Sequence, residues 1–373
     1  MKKIVITGTG LHTPAYTINN DELVAAYNQY VEKYNAEHHQ EIATGSCAAL
    51  KESSSEFIIK ASGIKQRYVI EKEGILDPER MAPILRSREE SELSLQAEMG
   101  LAAAREALKN ANKQASDVDF ILLSSAVIER FFPSIAIEIQ AALGARGYAY
   151  DMIAGCSSGT FGLQTVVNAL RSDQATCGLL IDVSLGSCLV DFCDRDSHFI
   201  FGDAAVAVVI ETSATCRAAT SFEVVSSKLT TQFSNNIRSN FSLLNRLETK
   251  PKNIRENLFR QKGRQVFREV VPFAIQFITS HLQECGLTAQ QIQRFWLHQA
   301  NININHLIAE KILGRPATQE EAPLILDKYA NTASAGSLIT FHHYHQDLQS
   351  GDLGLMCSFG AGYSLGSIIL RKI

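Results

Sequence analysis

Three residues of this chain stand where apolar runs break off into small or polar ones: Cys156, His298 and Asn331. Cys156 lies in DMIAGCSSGTFGLQTVV, after a β-branched strand and at the start of a helical pattern. The N-terminus of a helix presents free N–H groups and the positive end of the dipole, which favour a thiolate over a thiol. Gly155, Ser157, Ser158 and Gly159 keep bulk away, so an acyl group can reach the sulfur and the helix can pack closely. That makes Cys156 a nucleophile able to carry an acyl group, although a buried core cysteine fits the same segment. His298, in RFWLHQANINI, sits at a strand tip, as a base, a hydrogen-bond donor or a structural histidine. Asn331, in DKYANTASAGS, has the same placement, and taken singly it suits a helix cap.

Other motifs carry less chemistry. His342, His343 and His345 form HHYH, but a zinc site lacks a cysteine or carboxylate at the usual spacing, so a partly exposed helical cluster is expected and no metal. FGAGYSLG near the C-terminus does not open a helix in an N-terminal βαβ unit, as a dinucleotide loop must. Its glycines suit a backbone brought close to a reacting atom. Eight cysteines without a CxxC pair or regular spacing read as reduced thiols. The net charge of -4 gives no reason to expect nucleic acid or an anionic membrane as partner, while a local basic patch still allows an acidic carrier protein. The apolar run in MKKIVITGTG is too short for a signal peptide and no stretch approaches a membrane span, so the expected compartment is the cytoplasm.

The elements that must hold these residues alternate between β-branched runs and helical patterns, as in an α/β protein. KKIVITGTG is the first strand, and Asn19 to His39 a helix opened by an Asn19–Glu22 capping box, with Tyr27, Tyr30 and Tyr34 as packing surface. Residues 40 to 90 read as an elaboration. A helix from Ser91 to about Asn112 leads into the strand VDFILLSSA. VDFILLSSAV resembles QRFWLHQAN, and YDMIAGCSSGTFGLQTVV resembles LDKYANTASAGSLITFH, in the same order. Both second segments are expected as strands ending at a polar residue that opens a helix. Two such halves facing one crevice bring Cys156, His298 and Asn331 together.

Taken together, GTGLHTP, SGIKQRYV, FFPSIAIEIQAALG, AGCSSGTFG, DRDSHFIFGDAAVAVV, GRQVFR, HQAN, YANTASAG and SFGAGYSLGS resemble, in order, blocks of the β-ketoacyl-acyl carrier protein synthase III family. The resemblance implies an α/β thiolase-like fold of two duplicated βαβαβ-type halves in five αβαβα layers. The halves fall at 1–212 and 213–373, with insertions near 28–54 and 72–90. It also implies a cytoplasmic homodimer that needs no cofactor.

Carried over residue by residue, the family's triad falls on Cys156, His298 and Asn331. The backbone N–H groups of Cys156 and Ala361 form the oxyanion hole, each worth about 3 to 4 kcal/mol by analogy with protease holes. Phe132 reaches across the dimer into the partner's acyl pocket. In the implied reaction Cys156 takes an acyl group from acyl-CoA. Malonyl carried by acyl carrier protein then binds with its carbonyl between His298 and Asn331, loses carbon dioxide and attacks the acyl-cysteine, giving a 3-oxoacyl product.

Departures from the family count against acetyl-CoA as donor. Phe57 and Ala61 stand where a tryptophan and an arginine grip the CoA nucleotide, while Arg195 matches the grip's other arginine. Asn303 replaces a carrier-docking arginine, and Arg268 keeps positive charge at another docking position. A longer primer makes up for a weaker nucleotide grip, because each buried methylene contributes about 0.8 kcal/mol. A degradative thiolase needs a second cysteine in Cys-x-Gly, whereas Cys357 is followed by Ser-Phe-Gly. A non-decarboxylating acyltransferase of the same fold commonly alters the asparagine, and a non-catalytic partner subunit tends to lose the cysteine.

Overall fold

A computed structural model describes residues 2–240 and 254–373. Its centre is a nine-stranded sheet in the order β11 (Ile292–Leu297), β12 (Leu353–Gly360), β13 (Ser364–Lys372), β8 (Phe222–Thr231), β1 (Ile4–His12), β7 (Asp203–Thr212), β6 (Cys177–Leu185), β4 (Phe120–Ser125) and β5 (Tyr148–Ile153). Strands buried on both faces are apolar at most positions, as β4, β6, β7 and β12 are. On β4, Phe120 and Leu122 face one core while Ile121 and Leu123 face another. On β12, Met356 faces the shared core and Leu355, Cys357 and Phe359 the opposite one.

The pairing pattern repeats. β4 runs parallel to β6, which pairs antiparallel with β7, which pairs antiparallel with β1. β11, β12, β13 and β8 follow the same scheme. Among the described residues the two sets pair at Val5↔Glu223 and Ile6↔Phe222. The strand likeness read from VDFILLSSAV and QRFWLHQAN therefore corresponds to β4 and β11. Among the described residues β5 has no strand counterpart in the second set. The segment expected as a strand before Asn331 is instead a short helix, α9 (Leu326–Tyr329), and only Asn331 forms a bridge, to Phe201.

Helices α4 (Leu95–Asn110) and α5 (Ile135–Leu143) cover one outer face, and α7 (Gly263–Glu284) and α8 (Ile302–Leu313) the other. Between the two halves of the sheet lie α6 (Ser158–Arg171) and α10 (Gly336–His343), whose Leu163, Val166, Leu338 and Phe341 share one core with residues of both strand sets. The result is five layers, α-β-α-β-α, as expected of a thiolase-like fold.

The N-terminal elaboration packs above this body. Helix α1 (Asn20–Glu37) starts at the expected Asn19–Glu22 capping box, and its Tyr27 is buried and stacks on His198. Helix α3 (Ser55–Ser62), capped by Ser54, and the ribbon of β2 (Tyr16–Asn19) with β3 (Gln66–Val69) complete it.

Candidate active site

Cys156 occupies a single 3-10 turn, Gly155–Ser157, that runs directly into α6. Hydroxyls lash this turn in place. Ser158 Oγ donates to the Ser125 carbonyl at the end of β4, and Ser157 Oγ donates to the Ser364 carbonyl at the start of β13, 2.7 Å away. Gly155 takes φ +58 with its α-carbon facing Ala361, a conformation that side chains disfavour.

The C-terminal glycine run lies against Cys156. A Cβ on Gly360 would lie 2.4 Å from Cys156 Cβ and 2.8 Å from its Sγ. Glycine is the residue that leaves that space to the sulfur. The next residue, Ala361, turns its backbone N–H toward Cys156, whose own N–H points to the same sulfur.

Burial pushes the Cys156 thiol up, the two N–H groups pull it back, and the Asp182 carboxylate adds to the rise. The expected preference for thiolate at the helix N-terminus is thus reversed in the resting chain. Desolvation of a cysteine that is 9% exposed outweighs the helix end and both donors.

His298 follows the last residue of β11 and is fixed by its N–H to the Cys357 carbonyl, at 2.8 Å, and by edge-on packing against Phe359. Its burial lowers the imidazole to about 4, against the Ala333 carbonyl, so the ring is neutral at pH 7. Its Nδ1 is buried with no partner among the described residues. Asn331 is pinned through its backbone, with its N–H on the Ile200 carbonyl and its carbonyl on the Gly202 N–H. Its Oδ1 accepts from the Ala333 N–H at 2.9 Å, which commits the amide oxygen and turns the NH2 outward as a donor. Ala333 therefore links them: it binds the side chain of Asn331, meets the ring of His298 and lines the cavity that Cys156 also lines.

That cavity, about 310 Å³, is walled largely by apolar groups, among them Val127, Ile128, Phe131, Leu189, Phe201 and Phe259. Its size is at the low end for small-molecule sites. Part of its roof was not foreseen. Ile237, Arg238, Ser239 and Phe259 come from the chain between β8 and α7, which is tied to the turn after β12 by Ser234 N–H on the Gly362 carbonyl at 2.7 Å. β9 (Ile237–Arg238) and β10 (Arg260–Gln261) pair within it.

The remaining expected site residues are spread around this centre. Phe132 is 83% exposed and outside the cavity of its own chain, where Phe131 stands instead. Phe57 and Arg195 are together, with the guanidinium carbon 4.0 Å above the ring, and Arg195 Nε donates to the Glu52 carbonyl. No space is left between them for a third planar group. Ala61 accepts from Asn301 Nδ2 through its carbonyl, and Asn303 caps onto the same neighbourhood at Lys60. Arg268 is exposed on α7. Cys357 faces the outer core under α7 and α8, away from Cys156, so it is no second nucleophile. His342 and His343 bind Thr9 and Tyr329, and no described group of His, Cys, Asp or Glu is arranged to hold a metal.

Comparison with known proteins follows the same lines. Residues 150–232 match the family model of 3-oxoacyl-[acyl-carrier-protein] synthase III, and residues 282–372 that of its C-terminal domain. The chain is 50% identical over 347 residues to a β-ketodecanoyl-[acyl-carrier-protein] synthase of Pseudomonas aeruginosa, across 93% of this chain and 99% of the relative. It is 30% identical over 326 residues to a β-ketoacyl-[acyl-carrier-protein] synthase III of Brucella suis, across 86% of this chain and 91% of the relative. Among solved structures, 3-oxoacyl-[acyl-carrier-protein] synthase III from Aquifex aeolicus superposes with a TM-score of 0.75 at 26% identity, covering 99% of each chain. The priming β-ketosynthase of the R1128 polyketide pathway, at 20% identity, shares the fold with a TM-score of 0.78, over 99% of this chain and 96% of that one.

Proposed function

This chain belongs to the 3-oxoacyl-[acyl-carrier-protein] synthase III family, an acyl-transferring condensing enzyme, and we propose that it loads a medium-chain acyl group from acyl-CoA onto Cys156 and extends it with malonyl-acyl carrier protein. The observation that carries this reading is the pair of backbone N–H groups, of Cys156 and Ala361, aimed at one sulfur that Gly360 leaves uncovered.

In the first half-reaction the sulfur of Cys156 attacks the thioester carbonyl, the oxyanion is held by the two N–H groups, and the C–S bond to CoA breaks as the CoA thiol leaves with the proton. In the second, the malonyl carboxylate departs as carbon dioxide and the enolate oxygen accepts from neutral His298 and from the NH2 of Asn331. The new carbanion attacks the acyl-cysteine, the C–S bond breaks, and a 3-oxoacyl product leaves on the carrier. Neutral donors suit an enolate, and burial keeps His298 neutral.

The primer follows from two supports. The Pseudomonas relative is named for a β-ketodecanoyl product. A ten-carbon product gained by adding two carbons starts from about eight, and the apolar walls of the Cys156 cavity suit such a chain. The Phe57–Arg195 stack supports a weak grip on the nucleotide, so that the acyl chain supplies the affinity. Arg268 on α7 serves as a docking charge for the acidic carrier.

The partner of this chain is a second copy. Strand β5 is the sheet's edge, and Tyr148, Tyr150 and Ile153 on it, with Phe131, Phe132 and Ile137 nearby, are exposed apolar groups. Phe132 then reaches the other copy's cavity. The halves divide at 1–212 and 213–373, between β7 and β8. No described helix is long and apolar enough to cross a membrane, in keeping with a cytoplasmic enzyme.

Intact-protein mass spectrometry after exposure to octanoyl-CoA tests the assignment. An acyl adduct that maps to Cys156 and is absent from Cys156→Ser is expected, followed by a 3-oxodecanoyl carrier on addition of malonyl-acyl carrier protein. A stable adduct mapping to any other cysteine would refute it.

A further inference from the structure

Asp182 is an acid inside an apolar strand. It lies on β6 between Ile181 and Val183, is fully buried, and faces the middle layer behind Cys156. Its hydrogen bonds come from hydroxyls: Ser124 Oγ on β4 donates to Oδ2 at 2.9 Å and Ser334 Oγ to Oδ1 at 2.8 Å. Burial pushes this carboxyl up to about 7, with the two serines pulling it back. A carboxyl in such a place costs stability unless something nearby depends on it.

What depends on it is the turn that carries the condensation residues. Ser334 belongs to the 3-10 turn Ala333–Ala335, and the preceding residue, Ala333, holds Asn331 by its N–H and meets His298 with its carbonyl. The turn is not relaxed. Ala330 and Ala333 take φ +53 and +46, left-handed values that alanine avoids, so the conformation has to be held from outside. The Ile200 and Gly202 backbone holds the Asn331 end. The other end rests on Asp182, and α6 makes room there: a Cβ on Gly159 would meet the Ser334 carbonyl at 2.7 Å and Asp182 Oδ2 at 3.4 Å.

We infer that Asp182 is a positioning residue, which through Ser334 holds the 331–335 turn so that the Asn331 amide and the His298 ring converge on the enolate oxygen. This rests on the reading of Asn331 and His298 given above. Asp182 touches no reacting atom itself, and the effect is confined to the second half-reaction. Its charge also opposes ionisation of Cys156, so losing it does not hinder acylation.

The experiment measures the two half-reactions separately, acyl transfer to Cys156 and malonyl decarboxylation, in Ser334→Ala, Asp182→Ala, Asp182→Asn and Asn331→Ala. Ser334→Ala guards against an Asp182→Ala chain that fails to fold. Ser334→Ala and Asp182→Ala are expected to lower decarboxylation kcat by about tenfold to a hundredfold, the scale of a displacement near 1 Å, while acylation is retained. Asp182→Asn keeps the volume and an acceptor oxygen and should recover most of the loss. A purely structural role predicts instead that both half-reactions fall together with no rescue by asparagine, and that result overturns the inference. Normal decarboxylation in Ser334→Ala beside its loss in Asn331→Ala overturns the inference and leaves the proposed function standing. Normal decarboxylation in Asn331→Ala removes the reading beneath both.

Discussion

Replacing Gly360 by alanine puts the proposed chemistry under direct strain. The added methyl would lie 2.8 Å from Cys156 Sγ and 2.4 Å from its Cβ, whereas relaxed contacts between such atoms lie at about 3.5–4.0 Å. Neither side can yield easily. Gly360 is in register with Ser364 across the β12–β13 pair, and Cys156 is held by the serine bonds on either side of its turn. A shift of about 1 Å between the sulfur and the Ala361 N–H is therefore forced, which corresponds to about a hundredfold loss in acylation kcat/KM, with about 1–3 kcal/mol of stability lost to overpacking. Gly354→Ala is the control, because its Cβ would strike the Trp296 ring at 2.2 Å on the same strand, far from the sulfur. It should destabilise comparably while each folded molecule still acylates normally. Adduct formation by intact mass, normalised to folded protein, reads both variants. Acylation of Gly360→Ala near the wild-type rate, or an equal loss in Gly354→Ala, would mean that the glycine is not there to clear the nucleophile.

Three further outcomes are expected. His298→Ala and Asn331→Ala should leave acylation of Cys156 largely intact and suppress malonyl decarboxylation, and equal loss of both half-reactions would contradict the division of labour. Acylation rates with primers of two to twelve carbons should peak near eight, because six added methylenes supply up to about 5 kcal/mol, a few thousandfold in kcat/KM; a clear optimum at two carbons would sink the medium-chain reading. Asp182→Asn should change how stability depends on pH. Burial raises the folded carboxyl to about 7 from an unfolded value near 3.8, so the folded wild type binds the proton more tightly and loses stability as pH rises from about 4 to 7, by up to about 4 kcal/mol. The asparagine variant lacks that slope and should gain on the wild type between pH 5 and 8 in urea unfolding; a constant difference would mean that Asp182 titrates normally.

What the sequence made legible was local. Cys156 and His298 could be placed because a run of apolar residues stops at each, and β11 and α6 do begin or end there. Asn331 was located but its surroundings were misread, since LDKY has no period that separates a strand from the short α9, and a neighbouring loop at Ile200–Gly202 supplies the pairing a strand would have. The cavity roof was invisible for a related reason: Phe259 is held by its N–H on the Leu189 carbonyl, and the segment around Ile237 by Lys262 N–H on the Asn236 carbonyl and Ser234 N–H on the Gly362 carbonyl, all set by the folded chain rather than by any repeat. Asp182 did leave a signal, one acid in the apolar run CGLLIDVSL, which burial on both faces of β6 turns from an oddity into a cost that needs a reason. The ionisation of Cys156 is where sequence and structure disagree most usefully. A helix N-terminus is written in the sequence and favours thiolate, but desolvation depends on what the other half of the chain lays over the sulfur, here Gly360 and Ala361, while the buried Asp182 of the cysteine's own half adds its charge. A site assembled from two halves can thus hold its cysteine as a thiol at rest, and under the proposed function the two N–H groups meet the charge that arises only once substrate is bound.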